Sequence, residues 1–360
     1  MAIVENANSA SVASAPSLAE TTDWIRRIHP ATAVVAVILL LMPLIANGFI
    51  LFQIFSWSFI LGMIGLSLMF LAGYGGMVSL AQMTIAGFAG YMVAIFGVNG
   101  VGSVSLGWPW WLAAPMALVL ATLFGSITGA LAVRTAGIYT IMITLAIASA
   151  FYYFVNQNYA IFSGHTGINS IATPNFWGVD WRSPIPFYYV TLGLATICYA
   201  TTLYLARAPF GLALQGVRDN PRRMAALGFN VNAHRVAAYV YASLVAAVAG
   251  ILLVWSNGQI SPGSVGIDNA IDILVIAVVG GISRPIGPFI GALIYVVLRT
   301  FALDFLVAIG LDGNRFRLLV GLGFLVIVFW SPDGVIGLWM RWRNRGQGSR
   351  NLSPGGGGHG

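Results

Sequence analysis

The chain has 360 residues, of which 58% are hydrophobic and 8% are charged, and its mean hydropathy is +0.86. These values exclude a soluble globular protein. The net charge of +7 does not indicate nucleic-acid binding, because the arginines lie at the ends of apolar segments rather than on one face.

The sequence contains no lysine, and this absence excludes several chemistries. A Walker A phosphate loop and Schiff-base catalysis both need a lysine. The histidines (His29, His165, His234 and His359) lack the spacing of a metal site or a triad, and the single Cys198 cannot form an intramolecular disulfide. We therefore expect a chain that is not an enzyme and binds no metal or cofactor. Any ATP would be hydrolysed by another chain.

The N-terminal segment, residues 1–28, is polar and rich in alanine and serine. A signal peptide would open with a basic region and an apolar core, so we predict a disordered lead-in instead. Arg26 and Arg27 precede the first apolar segment, and the positive-inside rule places them in the cytoplasm. The basic tail, residues 341–360, ends in SPGGGGHG and is also predicted to be disordered.

Residues 29–340 form the predicted transmembrane domain. Apolar runs of about 20 residues are long enough to cross a hydrocarbon core of about 30 Å. They predict an all-α polytopic membrane protein with about ten spans and both termini in the cytoplasm. The predicted spans are 31–50, 51–72, 77–98, 137–157, 187–206, 236–255, 265–282, 287–306 and 316–337, with a further span that follows the interface tryptophans Trp108, Trp110 and Trp111 and ends at Arg134.

The distribution of arginine supports this layout, because positive charge stays on the cytoplasmic side. Three arginines fall outside (Arg182, Arg315 and Arg317), and Arg299 falls within the membrane. The larger group falls inside: Arg26, Arg27, Arg134, Arg207, Arg218, Arg222, Arg223, Arg235, Arg284, Arg341, Arg343, Arg345 and Arg350.

The third segment begins with polar residues and continues with Gly87 and Gly90. The glycines indicate close helix packing, and the pattern is also typical of a broken helix that lines a pathway. Gln82 is expected to face the interior of the bundle, since an unpartnered amide in lipid is costly. Neutral polar groups would suit a small neutral or zwitterionic solute, although threonines also bond back to their own helices. The polar set is Ser79, Gln82, Thr84, Thr140 and Thr144.

Charged residues within the membrane predict an ion pair. Asp268 and Asp272 are four apart on one face of the eighth segment. Arg299 lies about 18 Å along the ninth span, at a depth compatible with Asp272. We predict an Arg299–Asp272 pair, with Asp304 as a competing partner. It would lock two spans together, and the alternative is a gate or proton-coupling site.

The stretch FGLALQGVRDNPRRMAALG, residues 210–228, is the long polar interruption between two apolar segments. Asn220 is suited to an N-cap, Pro221 to the first helical position and Gly228 to a left-handed end. Met224 and Leu227 are three apart and share an apolar face. The stretch therefore predicts a capped helix on which another protein pushes. The alternative is a basic loop that only sets orientation.

Several motifs together resemble the LivM-type permease subunits of branched-chain amino acid ABC importers, roughly from the second span to the tenth. They are AGYGGMVSLAQMTIAGFAGYM (72–92), RTAGIYTIMITLAIA (134–148), SGHTGINSI (163–171), FGLALQGVRDNPRRMAALGFNV (210–231), VVGGISRPIGPFIGA (278–292) and SPDGVIG (331–337). The chain departs from many relatives at 221–223, where they carry glutamate and small residues.

The resemblance implies a translocation path and a coupling region, residues 207–235. It implies a path that includes the polar set together with Gly75, Gly76, Gly280 and Gly281. These glycines form two similar inner turns, which leaves an internal repeat open. Contact with the ATPases is implied for Arg218, Asp219, Asn220, Pro221, Met224, Leu227 and Gly228.

The implied partners are a second permease subunit of the LivH type, two cytoplasmic ATPase subunits, a periplasmic substrate-binding protein and membrane lipid, with no nucleic acid. The implied location is a bacterial-type inner membrane. Leucine, isoleucine and valine are the default substrates, and urea, short amides or aromatic acids are alternatives. An ion-coupled secondary transporter would need a partnered acid near the midplane, and Asp272 lies further out. A passive channel would not need the capped helix.

Overall fold

The structure is a computed structural model that describes residues 30–100, 105–135, 137–176 and 179–308, with side chains except those of 30–34, 175–180 and 302–308. The described residues fall into two compact units, one that ends at residue 47 and one that begins at residue 48. In the first unit, helix α1 (Pro30–Ile45) is apolar and contains Pro43. The predicted lead-in, the tenth span with Arg315 and Arg317, and the C-terminal tail lie outside the described residues.

The second unit is organised around helix α2 (Ile50–Tyr74), which has 25 residues and is the most buried of the long apolar helices in the described residues. Its first and last turns are wide π-helical turns on either side of a regular α-helix. Gly62 and Gly65 lie directly against Phe289 and Pro288 of a later helix. Because glycine has no Cβ, the two backbones approach closely at these positions.

A break follows α2. The chain turns at Gly75 and Gly76 and has no regular structure until helix α3 (Gln82–Phe96) begins. The predicted span 77–98 is therefore too long, because residues 77–81 are not helical. A helix of 15 residues is about 22 Å long, less than a hydrocarbon core of about 30 Å.

Helices α4 (Trp110–Ala132) and α5 (Ile138–Gln157) agree with the predicted spans. Small residues at every fourth position of α4 are buried where it packs against α3 and a later helix. They are Ala113, Ala117, Ala121 and Gly125. Such a stripe allows close contact between membrane helices.

The connection after α5 contains a short helix α6 (Tyr159–Phe162), a 3₁₀ turn (Gly164–Thr166) and a hairpin of two strands, each of two residues. The hairpin pairs β1 (Asn175–Phe176) with β2 (Val179–Asp180) in antiparallel register. Ile168 also exchanges backbone hydrogen bonds of 2.8 and 2.9 Å with Ile260, which ties two distant loops together.

Four helices follow in sequence: α7 (Pro184–Arg207), α8 (Pro209–Asp219), α9 (Pro221–Ala226) and α10 (Val231–Asn257). The first three begin with a proline. Proline lacks a backbone N–H, and this costs nothing in the first turn because the N–H groups there have no acceptor within the helix. Cys198 lies buried within α7. Helix α10 packs against α2, α3 and α4, and Gly250 meets the backbone of Ala86.

A 3₁₀ turn (Pro262–Val265) leads into the last described pair of helices, α11 (Ile267–Gly280) and α12 (Gly287–Ala308). The two helices form an antiparallel hairpin. Their closest approach is a contact of glycine backbones, where Gly280 faces Gly287 and Gly291.

The fold class predicted from the sequence is confirmed. The described residues are largely helical, apart from the short hairpin in the outer connection, and contain five helices long and apolar enough to cross a membrane. The count of about ten spans and the cytoplasmic location of both termini stay predictions.

Candidate functional site

The predicted caps of the coupling stretch are present. Helix α8 ends at Asp219, and the Oδ1 atom of Asn220 accepts a hydrogen bond of 2.9 Å from the N–H of Arg223. Pro221 is the first residue of α9, and Gly228 has a φ of +87°. These local signals produce a sharp corner between two helices, because Asn220 ends one helix and caps the next.

The structure separates Met224 from Leu227. The side chain of Met224 lies over α8, where a Cβ built on Gly216 would be 2.9 Å from its sulfur atom. Leu227 has 66% of its surface exposed, and the nearby Phe229 has 40% exposed. The exposed apolar surface is therefore formed by Leu227 and Phe229, just after the end of α9, while Met224 anchors α9 to α8.

Arg218 joins the coupling stretch to the break after α2. Its Nη1 atom donates a hydrogen bond to the carbonyl oxygen of Gly73, and its Nε atom donates to Oδ1 of Asp219 at 2.9 Å. The Arg218 stem lies over Gly76, where a Cβ would be 2.6 Å from the Cγ atom. Gly76 has a φ of +67°, a conformation that glycine adopts without strain.

The two glycine turns that resemble one another in sequence are in contact. A Cβ on Gly73 would lie 2.5 Å from the carbonyl oxygen of Ile282, next to Gly281. Together with Arg218 and Gly76 they form one cluster, which we call the arginine junction (Gly73, Gly76, Arg218 and Ile282). Three separate segments of the chain therefore meet at the predicted cytoplasmic end of α2.

Thr144 of α5 is bonded to the irregular segment that follows the break. Its Oγ1 atom accepts a hydrogen bond of 3.2 Å from the N–H of Leu80. The same hydroxyl donates back to its own helix, to the carbonyl oxygen of Thr140 at 3.0 Å. The threonine thus bonds back to its own helix, one of the two uses considered from the sequence. The contact with Leu80 fixes the irregular segment against α5.

Gln82 is 1% exposed and faces the interior of the bundle, as predicted. Its Oε1 atom accepts a hydrogen bond of 3.0 Å from the hydroxyl of Ser67, while its Nε2 atom has no hydrogen-bond partner in the structure. Gly87 and Gly90 pack against Val265 and Val254, so the packing interpretation of these glycines is confirmed.

The remaining predicted path residues are also enclosed by protein. Gly280 lies in the glycine contact between α11 and α12, and Gly281 is the residue that follows the end of α11. The polar members Ser79, Gln82, Thr84, Thr140 and Thr144 are all buried in this conformation. Their role in a translocation path stays a prediction.

A cavity of about 230 Å³, which we call the Asp272 cavity, opens between α2, α10, α11 and α12. Asn269 shapes its rim, because its amide donates hydrogen bonds of 2.8 and 3.1 Å to the carbonyl oxygens of Gly263 and Ser264. The lining combines polar and apolar side chains: Trp57, Leu61, Met83, Leu253, Asn257, Ser261, Gly263, Ser264, Asn269, Asp272, Ile273, Ile276, Tyr295 and Arg299.

Asp272 and Arg299 thus line one cavity, as their predicted depths require, and the ion pair between them stays a prediction. Asp268 lies one turn further out and is exposed. The side chain of Asp304, the predicted competitor, lies outside the described residues. Sequence reasoning missed two polar residues of this lining, Asn257 at the end of α10 and Ser261 in the loop that follows. Ser261 reaches the cavity only because that loop folds back.

A second cavity, of about 290 Å³, is almost entirely apolar. We call it the tryptophan cavity. It is lined by Trp110, Thr173, Pro174, Trp181, Phe187, Val190 and Trp255. Such a lining suits an apolar group and offers no charged side chain to a polar solute.

The sequence is similar to known transport proteins. The model of a family described as branched-chain amino acid transport system / permease component matches residues 50–329. The chain is 24% identical over 299 residues to the high-affinity branched-chain amino acid transport system permease protein LivM of Escherichia coli, a match that covers 76% of this chain and 65% of that protein. No solved structure matches the chain.

Two further relatives show how wide the similarity is. A probable branched-chain amino acid transport permease protein LivM of Methanocaldococcus jannaschii is 23% identical over 287 residues, which cover 76% of this chain and 80% of the relative. The ribose import permease protein RbsC of Haemophilus influenzae is 22% identical over 256 residues, which cover 69% of this chain and 76% of that protein. The chain spans 65% of the length of the LivM proteins of Escherichia coli and Salmonella typhimurium.

Proposed function

The chain belongs to the family of branched-chain amino acid transport system permease components, and we propose that it is the membrane permease subunit of an ABC importer. It forms a translocation path for branched-chain, hydrophobic amino acids across a bacterial-type inner membrane. Separate ATPase subunits bind and hydrolyse the ATP, since a chain without lysine cannot supply the lysine of a Walker A loop.

The other components follow from the same proposal. A second permease subunit of the LivH type completes the path, two cytoplasmic ATPase subunits dock on the coupling region, and a periplasmic binding protein delivers the substrate. The exposed apolar surface of Leu227 and Phe229 suits the ATPase contact. Docked surfaces of this kind place apolar side chains at their centre and charged ones at the rim.

The single observation that carries the proposal is the arginine junction. Arg218 sits in the last turn of α8, one helix corner away from α9, and bonds to the carbonyl oxygen of Gly73 at the end of α2. A movement of α9 is therefore passed through α8 and Arg218 to the break that precedes α3. Rigid helices joined by a few such contacts transmit motion between distant sites.

The break is the element on which this motion would act. Its irregular segment is held by the contact between Leu80 and Thr144, and it leads directly to the buried Gln82. Shifting the break would expose Gln82 and its polar neighbours to one side of the membrane and then the other. Alternating access needs such an element with two arrangements.

Two other functions remain as alternatives. The same permease could carry urea, short amides or aromatic acids, and the similarity to a ribose permease shows that the family's relatives differ in substrate. An ion-coupled secondary transporter would work without ATP. Only the second alternative is incompatible with a coupling role for α9.

The deciding experiment measures ATP-dependent uptake into vesicles that hold the whole complex. Deletion of residues 221–227 should abolish uptake while the subunits still co-purify, because the deletion removes the proposed contact with the ATPases. Deletion of residues 354–360, seven residues from the C-terminal tail, is the matched control and should leave uptake unchanged. Uptake by the unmodified complex that persists without ATP would overturn the proposal.

A further inference from the structure

Two helices bring opposite charges to one level of the Asp272 cavity. Starting from the glycine contact between α11 and α12, one turn outward on each helix leads to Ile276 and Tyr295. A further turn outward leads to Asp272 and Arg299, because residues four apart share a face and one turn rises about 6 Å. All four residues line the same cavity.

A carboxylate and a guanidinium group at one level match the two charges of a zwitterion. Arg299 can hold a carboxylate with two parallel hydrogen bonds, and Asp272 can accept hydrogen bonds from an ammonium group. Asp272 is half-buried and Arg299 is exposed, so both side chains are accessible to a ligand in the cavity. A zwitterion placed between them provides an opposite charge to each.

The deeper side of the cavity is apolar. Ile276 lies one turn below Asp272 on α11, and Leu253 lies one turn below Asn257 on α10. Met83 belongs to the same wall, and its flexible side chain adapts to the shape of a ligand. The cavity thus offers charge at its outer level and an aliphatic surface further in.

From this arrangement we infer that the Asp272 cavity is where this chain binds a free aliphatic α-amino acid, an inference that rests on the proposed function and assigns the residues of the substrate site. Asp272 holds the α-ammonium group, Arg299 holds the α-carboxylate, and the side chain points towards Ile276, Leu253 and Met83. A volume of about 230 Å³ lies below the range of about 300–1,000 Å³ for drug-sized ligands and fits a small one.

The chemistry separates this ligand from the alternatives. A neutral amide or urea has no formal charge for either the carboxylate of Asp272 or the guanidinium group of Arg299 to bind. The tryptophan cavity has no charged lining residue to hold a zwitterion. An aliphatic amino acid uses both the charged level and the apolar wall of the Asp272 cavity.

The test measures equilibrium binding to the purified complete transporter without the binding protein, whose own selectivity would otherwise mask this site. Three tritiated probes are compared: leucine, 3-methylbutylamine (leucine without its carboxylate) and 4-methylpentanoate (leucine without its amino group). Asp272→Asn should weaken leucine and the amine about tenfold or more, and leave 4-methylpentanoate within twofold. Arg299→Gln should weaken leucine and the carboxylate, and spare the amine.

A filling variant tests the cavity without touching a charge. Gly263 lines the cavity, and a Cβ built on it would meet only the Ser261 hydroxyl, at 3.7 Å. Gly263→Leu should therefore block binding of all three probes while the unfolding temperature stays near that of the unmodified complex. Gly193→Leu, on α7 with no atom within 4 Å of a Cβ, is the control and should bind normally.

The outcomes separate the site from the function. If the unmodified complex takes up leucine with ATP but the Asp272, Arg299 and Gly263 variants bind leucine normally, the site is wrong and the function stands. If the unmodified complex shows no ATP-driven uptake, the function itself fails. If both charge variants lower the unfolding temperature and weaken all three probes equally, the two side chains form only a structural ion pair, which overturns the site.

Discussion

The arginine junction and the Asp272 cavity lie towards opposite ends of α2, and they are built in opposite ways. At the junction, side chain and backbone are in direct contact, and no space remains for a Cβ on Gly73 or Gly76. At the cavity, the helices stand apart and leave about 230 Å³ between polar and apolar walls. The arginine junction is therefore closely packed, whereas the Asp272 cavity is an open space between helices.

The difference has a physical reason. A contact that passes movement from α8 to the break must not yield, and close-packed backbone transmits displacement because it is hard to compress. A site that takes up and releases a small solute needs room and side chains that adapt. The same helix therefore carries a tight joint at one end and a loose pocket towards the other.

The largest expected effect comes from filling the tight region. Gly76→Ala would place a Cβ 2.6 Å from Cγ of Arg218 at a φ of +67°. We expect the unfolding free energy to fall by about 1–3 kcal/mol because of backbone strain. We also expect ATP-driven uptake to fall about tenfold or more, because the added Cβ would displace Arg218 from its contact with the break. Thermal unfolding in detergent and uptake assays measure these two effects.

Gly137→Ala is the matched control for this substitution. Gly137 has a φ of +62°, and no atom lies within 4 Å of a Cβ there. It should cost only the backbone strain, about 1–3 kcal/mol, and leave uptake near normal. Equal losses of uptake in the two variants would show that the contact between Arg218 and Gly76 transmits no movement.

A smaller effect is expected from removing the hydrogen bond of the junction while keeping its packing. Arg218→Met loses the bond to the carbonyl oxygen of Gly73, at a cost of about 1 kcal/mol because Arg218 is partly exposed. We expect severalfold less uptake for each ATP hydrolysed, with the hydrolysis rate itself retained. Arg134→Met removes an exposed arginine elsewhere on the predicted cytoplasmic side and should keep the normal ratio of uptake to ATP hydrolysis. A normal ratio in both variants would contradict the coupling role of Arg218.

The smallest effect concerns the corner next to the junction. Asn220→Ala removes the cap of α9, and Asn230→Ala removes the equivalent cap of α10, where Asn230 accepts a bond of 3.0 Å from Ala233. Each should cost about 1 kcal/mol locally. Hydrogen exchange should speed up in 221–226 only in the first variant, which should also lower uptake. An effect on uptake that is equal in both variants would remove the special role of α9.

The parts of the coupling region that the sequence predicted are those that depend on neighbours in the chain. Asn220, Pro221 and Gly228 act within a few residues, so their pattern was sufficient to predict a capped helix. The contact between Arg218 and Gly73 joins residues 145 positions apart, and no local signal reports it. The packing of Met224 on Gly216 was missed for the same reason, because it depends on the angle between α8 and α9.

The membrane helices show the same division. Apolar length predicted the long helices well, but it also extended the third span through residues 77–81, since their composition is as apolar as that of a helix. The depth of Asp272 and Arg299 followed from the helical rise, and both line one cavity. The loop residues of that cavity could not be predicted, because the loop is positioned by contacts with distant segments such as Ile168.

The buried Cys198 has a practical consequence for following these motions. It is the single cysteine of the chain and lies within α7, shielded from water. Thiol reagents attack exposed thiolates, so the natural protein should be nearly inert to maleimides. A cysteine introduced at the exposed Leu227 would then carry a fluorophore or spin label at a known position in an otherwise unmodified background.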